Sequence, residues 1–162
     1  MITSITITHH SIDFEITYEV FVSNLSNLLG RIEKADFNQV ISDPERAFKH
    51  LSTLGGSQNL ILFGTQDHGD LLNLAAKRRK ASQYLIGNPL TALEMTKHDI
   101  RAALYAPLRV LVFENDAKKV TVEYDLPSDL FGQFGNPHVL KVARELDDKL
   151  FELLQQASKK AI

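Results

Sequence analysis

Hydrophobic spacing divides the chain into short elements of two periods. Ile2, Ile5 and Ile7 alternate with Thr and Ser, a half-buried strand pattern that predicts a first strand from Ile5 to about Thr8, extendable to Thr17 through a break at His9-His10-Ser11. Phe21, Leu25, Leu28 and Leu29 recur at helical spacing, so a helix opens near Tyr18, and Gly30 sits where a left-handed end residue is favoured. Asp43-Pro44 opens a second helix: an Asp oxygen can cap the first free N–H groups, and Pro suits the first helical position. Ala47, Phe48, Leu51 and Leu54 form its apolar face, and Gly55-Gly56 ends it.

Asn59 to Thr65 is apolar at successive positions, which fits a central strand covered on both sides or a strand beside a ligand cavity. A short helix follows over Leu71–Ala76, running into Lys77-Arg78-Arg79-Lys80. Gln83–Ile86 reads as a strand, and Asn88-Pro89 opens a helix with Leu90, Leu93 and Met95 inward. Leu108–Glu114 and Val120–Asp125 are the strongest strand signals, and the turn residues between them predict an antiparallel hairpin. Leu126–Gly135 reads as irregular. Asn136-Pro137 then opens a long helix whose apolar face carries Val139, Val142, Ala143, Leu146, Leu150, Leu153 and Leu154. A hairpin with flanking helices predicts an α+β fold, a mostly antiparallel sheet with helices packed on one face, in a single domain spanning residues 1–162.

Composition narrows the function. No 18-residue apolar run is present, so no membrane span is expected. The absence of Cys removes disulfides, thiolate metal sites and thiol nucleophiles. A net charge of −2 argues against nucleic acid as a partner. Neither a basic leader nor an apolar signal core precedes the first strand, which places the expectation in the cytoplasm.

Candidate chemistry gathers at element ends. In Thr65-Gln66-Asp67-His68-Gly69, a carboxylate beside an imidazole could orient a general base, so His68 and Asp67 are the catalytic candidates. The competing reading makes Asp67 a helix cap and His68 a structural or ligand-contacting residue. Glu94 and His98 lie four residues apart on one helical face, where they could share a metal with His68 or, more simply, place His98 at a favourable helix end. The spacing is not that of a metalloprotease helix, and no metal or other cofactor is expected. His9, His10, His50 and His138 have no partner at useful spacing and read as surface or packing residues. The basic run Lys77–Lys80 lacks interleaved aromatics and reads as a solvated helix end. Arg109 inside an apolar strand needs either a carboxylate such as Glu114, Glu123 or Asp125, or an anionic ligand.

Three separated segments then carry a family likeness. Phe63-Gly64-Thr65-Gln66-Asp67-His68-Gly69, Gly87-Asn88-Pro89 and, after Met95, Ala106-Pro107-Leu108-Arg109-Val110-Leu111-Val112-Phe113-Glu114 resemble, in that order, the bacterial family known as domain of unknown function 302. The resemblance implies a TATA-binding-protein-like α+β fold and a homodimer, and assigns no activity. It marks Asp67, His68, Asn88, Pro89 and Arg109 as a polar cluster. The expectation is a small-molecule site, suited to an anionic or polar carbonyl compound, formed by Asp67, His68, Asn88 and Arg109 with Glu94 and His98 nearby. The alternatives are a metal-free enzyme with His68 as acid–base, oriented by Asp67 or Glu94, and an interaction domain with no ligand site.

Overall fold

The computed structural model describes residues 1–160. The single-domain expectation runs to residue 162, and its last two positions lie outside the described residues. Six strands form one sheet in the order β1-β6-β5-β4-β3-β2. They are β1 (His9–Phe14), β2 (Gly30–Arg31), β3 (Ile61–Asp67), β4 (Ala81–Gly87), β5 (Leu108–Glu114) and β6 (Val120–Asp125). Every pair is antiparallel except β2–β3. The helices are α1 (Tyr18–Leu28), α2 (Pro44–Leu51), α3 (His68–Leu71), α4 (Pro89–Thr96), α5 (Pro127–Gly132) and α6 (Pro137–Ala157). The architecture is mixed α+β with a mostly antiparallel open sheet, consistent with the TATA-binding-protein-like class.

The core lies on one face of the sheet. Period two sends Leu108, Val110 and Val112 of β5, with Tyr84 and Ile86 of β4, toward the helices. There they meet Phe21 and Leu25 of α1 and Val139, Ala143, Leu146, Leu150 and Leu153 of α6 in one buried cluster. The apolar face read from the spacing of α6 is therefore the layer that covers the sheet. The other face of β5 carries Arg109, Leu111 and Phe113 and is more open to solvent.

Several sequence expectations need correction. Ile5–Thr8 forms no strand: β6 ends at Asp125 opposite His9, so the Ile/Thr alternation has no neighbouring strand to pair with. At Thr8 the carbonyl still accepts from the Leu126 N–H at 2.9 Å, while its N–H donates to the Asp129 carboxylate at 2.8 Å. Gly30 is not left-handed; a Cβ there would lie 1.9 Å from the Leu54 carbonyl oxygen, so glycine permits the close approach that seats β2 beside β3. β3 is second from the edge rather than central, and Thr65–Asp67 are exposed. Its helix starts at His68, and Leu72–Ala75 continue as a 3-10 turn, so Lys77–Lys80 form the approach to β4 rather than a helix end. The segment read as irregular contains α5, opened by Pro127 at its first position.

Candidate functional site

The strand pair β3–β4 has two ends, and the expected site residues are divided between them. Ile61 pairs with Gly87 and Asp67 with Ser82, so Asn88 leaves β4 at the end opposite to Asp67. Six residue steps at about 3.3 Å separate the two ends by roughly 20 Å.

At the Asp67 end, the carboxylate caps α3, accepting from the Asp70 N–H at 2.8 Å. Both Asp67 and His68 are exposed, and no hydrogen bond joins them among the described residues. Adjacent residues leaving a strand diverge, which keeps carboxylate and imidazole apart. The close packing here is done by Gly69, where a Cβ would lie 2.3 Å from the Arg79 carbonyl oxygen.

At the Asn88 end, the side chain is 4% exposed. Its Oδ1 accepts from the N–H groups of Leu90 (2.8 Å) and Thr91 (3.3 Å), and its Nδ2 donates to the Asn59 carbonyl (2.9 Å). One amide therefore caps α4 and ties it to the start of β3. Beside it opens a cavity of about 380 Å³. Phe63 reaches it through a β-bulge: Leu62 pairs with Ile86 and Gly64 with Leu85, leaving Phe63 as the extra residue. Gly87 and Pro107 form the floor, Ala92, Met95 and Thr96 of α4 one wall, and Phe131 the back. Phe37, from the 3-10 turn Lys34–Phe37, stands at the rim, 41% exposed. The lining holds no ionisable side chain; Asn88, Thr91 and Thr96 supply its polar groups. The Thr91 and Thr96 hydroxyls have no protein hydrogen-bond partner among the described residues.

The remaining candidates lie elsewhere. Glu94 and His98 do share a groove, between α4 and α6, with His138 as the second imidazole in place of His68. The His98 and His138 rings stack at 4.5 Å and 11°. Imidazole nitrogens bind in the ring plane, so parallel stacked rings aim their lone pairs side by side rather than at one ion. Glu94 is engaged by Lys97 at 2.7 Å. No cluster of three or more His, Cys, Asp or Glu among the described residues is placed to hold a metal ion. Arg109 is exposed on the open face of the sheet and makes no ion pair among the described residues, whether to Glu114, Glu123 or Asp125.

The histidines read as lacking partners have them from distant segments. His9 Nδ1 lies 2.8 Å from Asp125, and this hydrogen bond raises its pKa. His50 bonds Asp36 at 2.7 Å, which holds the Asp36 carboxyl below its usual range. Sequence spacing cannot show contacts that the tertiary fold creates. For the cavity, Phe37, Phe63, Ala92 and Phe131 were missed as site residues. A signal existed only for Phe63, whose strand is apolar at successive positions and does lie beside a cavity.

The chain is matched over residues 37–157 by the family described as Domain of unknown function DUF302, and it belongs to that family. A crystal structure of an uncharacterized conserved DUF302 protein from Bacillus stearothermophilus superimposes with a TM-score of 0.65 at 11% identity, covering 92% of this chain and 97% of that one. That likeness shows the fold. No curated protein matches the chain. No described helix is long and apolar enough to cross a membrane.

Proposed function

We propose that this member of the DUF302 family is a binding domain for a small, neutral, mostly apolar organic molecule, held in the cavity between the β4–α4 corner and α5. One observation carries the reading: Phe63, Gly87-Asn88-Pro89, Met95 and Ala106-Pro107-Leu108, drawn from all three segments of the family likeness, line one cavity. Its volume of about 380 Å³ lies in the range of small-molecule sites, which combine apolar walls with a few orienting polar groups. With no cation in the lining, an anion would lose its hydration without a partner. A ligand carrying one carbonyl or hydroxyl would meet the Thr91 and Thr96 hydroxyls. The reading moves the ligand from the Asp67/His68 cluster to the opposite end of the same strand pair. A homodimer is proposed alongside it, and a monomer mass in sedimentation equilibrium would end that part.

The test is equilibrium binding of N-phenyl-1-naphthylamine, a neutral apolar fluorophore. Saturable binding to the unaltered protein is expected, lost in Ala92→Phe, which fills the cavity, and kept in His68→Ala. Binding undiminished by Ala92→Phe in a folded protein, or abolished by His68→Ala, would overturn the reading.

A further inference from the structure

The groove around Arg109 adjoins that cavity across Ala106, Pro107 and Leu108, and we propose that it binds an organic monocarboxylate with an apolar body. The β5–β6 ladder runs from Glu114↔Val120 to Leu111↔Glu123 and stops, although β5 extends back to Leu108 and β6 on to Asp125. A groove of about 420 Å³ opens where the ladder stops. Leu85, Leu104, Tyr105, Pro107 and Leu130 give it apolar walls, and Leu104 is 75% exposed.

Arg109 is the one cation in this lining. Arg109 has no carboxylate within 4.0 Å among the described residues, so no ion pair occupies its guanidinium. Asp125 also borders the groove, but its carboxylate is held by His9 at 2.8 Å, and that contact raises the His9 pKa. Asp125 is thus hydrogen-bonded from the β1 side, and the Arg109 guanidinium has no ion-pair partner among the described residues. A planar guanidinium matches a carboxylate through two parallel N–H···O bonds. One cation in a lining that also holds Asp125 suits a single negative charge better than a phosphate dianion. The exposed Leu104 and the Leu130 and Tyr105 walls suit an aromatic or branched aliphatic body.

The test is a titration of the full chain with 3-phenylpropionate and with its uncharged amide, read by chemical shift. Hydrogen bonds to a charged group predict that the acid binds roughly ten- to a hundredfold tighter than the amide. Arg109→Gln should bring the acid down to the amide, while Leu104→Ala should weaken both alike. Equal binding of acid and amide, unchanged acid binding in Arg109→Gln, or no saturable acid binding would overturn the proposal. If Arg109→Gln fails to fold, the acid-to-amide comparison in the unaltered protein still decides.

Discussion

The two ends of the β3–β4 pair present the same local device with different consequences. At each, a short polar residue leaves a strand and caps a helix: Asp67 for α3 and Asn88 for α4. Asp67 does so in the open, with one hydrogen bond at the start of a four-residue helix. Asn88 does so buried, with three hydrogen bonds reaching two elements. The chemistry-bearing residue types, Asp and His, stand at the solvated end. The glycines, prolines and aromatics shape a cavity at the other. Residue type indicated a reaction at one end, where the neighbouring groove of about 500 Å³ is polar and lined by Gly69, Asp70 and Arg79 but by neither Asp67 nor His68, while the apolar cavity opens at the other.

Substitution should separate the two ends by size of effect. Asn88→Ala is expected to cost about 2–3 kcal/mol in urea unfolding, since it removes a cap and leaves buried N–H and C=O groups without partners. Asp67→Ala should cost about 1 kcal/mol or less, the value of an exposed cap. Equal costs would mean that the two caps are equivalent and that the contrast in burial has no energetic meaning. His68→Ala should change stability by less than about 0.5 kcal/mol, as for exposed residues outside any network. A large loss would make His68 structural.

The smallest effect concerns Asp147 in α6. Burial raises its carboxyl pKa above the usual value, although it accepts from the Ser128 N–H at 2.8 Å. A raised folded-state pKa means that its stabilising contribution is full below the unfolded value, about 3.9, and is lost as pH rises through the folded value. At pH 7 the charge therefore costs stability. Asp147→Asn keeps an acceptor for Ser128 and should raise Tm slightly at pH 7 and leave it unchanged near pH 3. A lower Tm at pH 7 would show that the charge is stabilising.

The regular parts of the molecule were legible because their signals are local. The Asp-Pro and Asn-Pro starts of α2, α4 and α6 cap as their chemistry requires, and the β5–β6 hairpin pairs as its turn predicts. Where an element depends on a distant partner, the sequence misleads. Ile5–Thr8 has the pattern of a strand and no strand to join, and two-residue β2 exists only because Gly30 lets the Leu54 carbonyl come close. The cavity was hidden for the same reason. It depends on a one-residue bulge at Phe63 and on Phe37, carried in by a 3-10 turn.

We propose that the β4–α4 corner, rather than the Asp67/His68 end, receives a ligand. Methyl-resolved NMR during titration with N-phenyl-1-naphthylamine observes both ends in one sample. Saturable shifts are expected at Met95, Leu93 and Leu108, which line the cavity, with Leu71 and Leu74, in the two turns that begin at His68, unmoved. Shifts confined to Leu71 and Leu74, or none at Met95 at saturation, would contradict it.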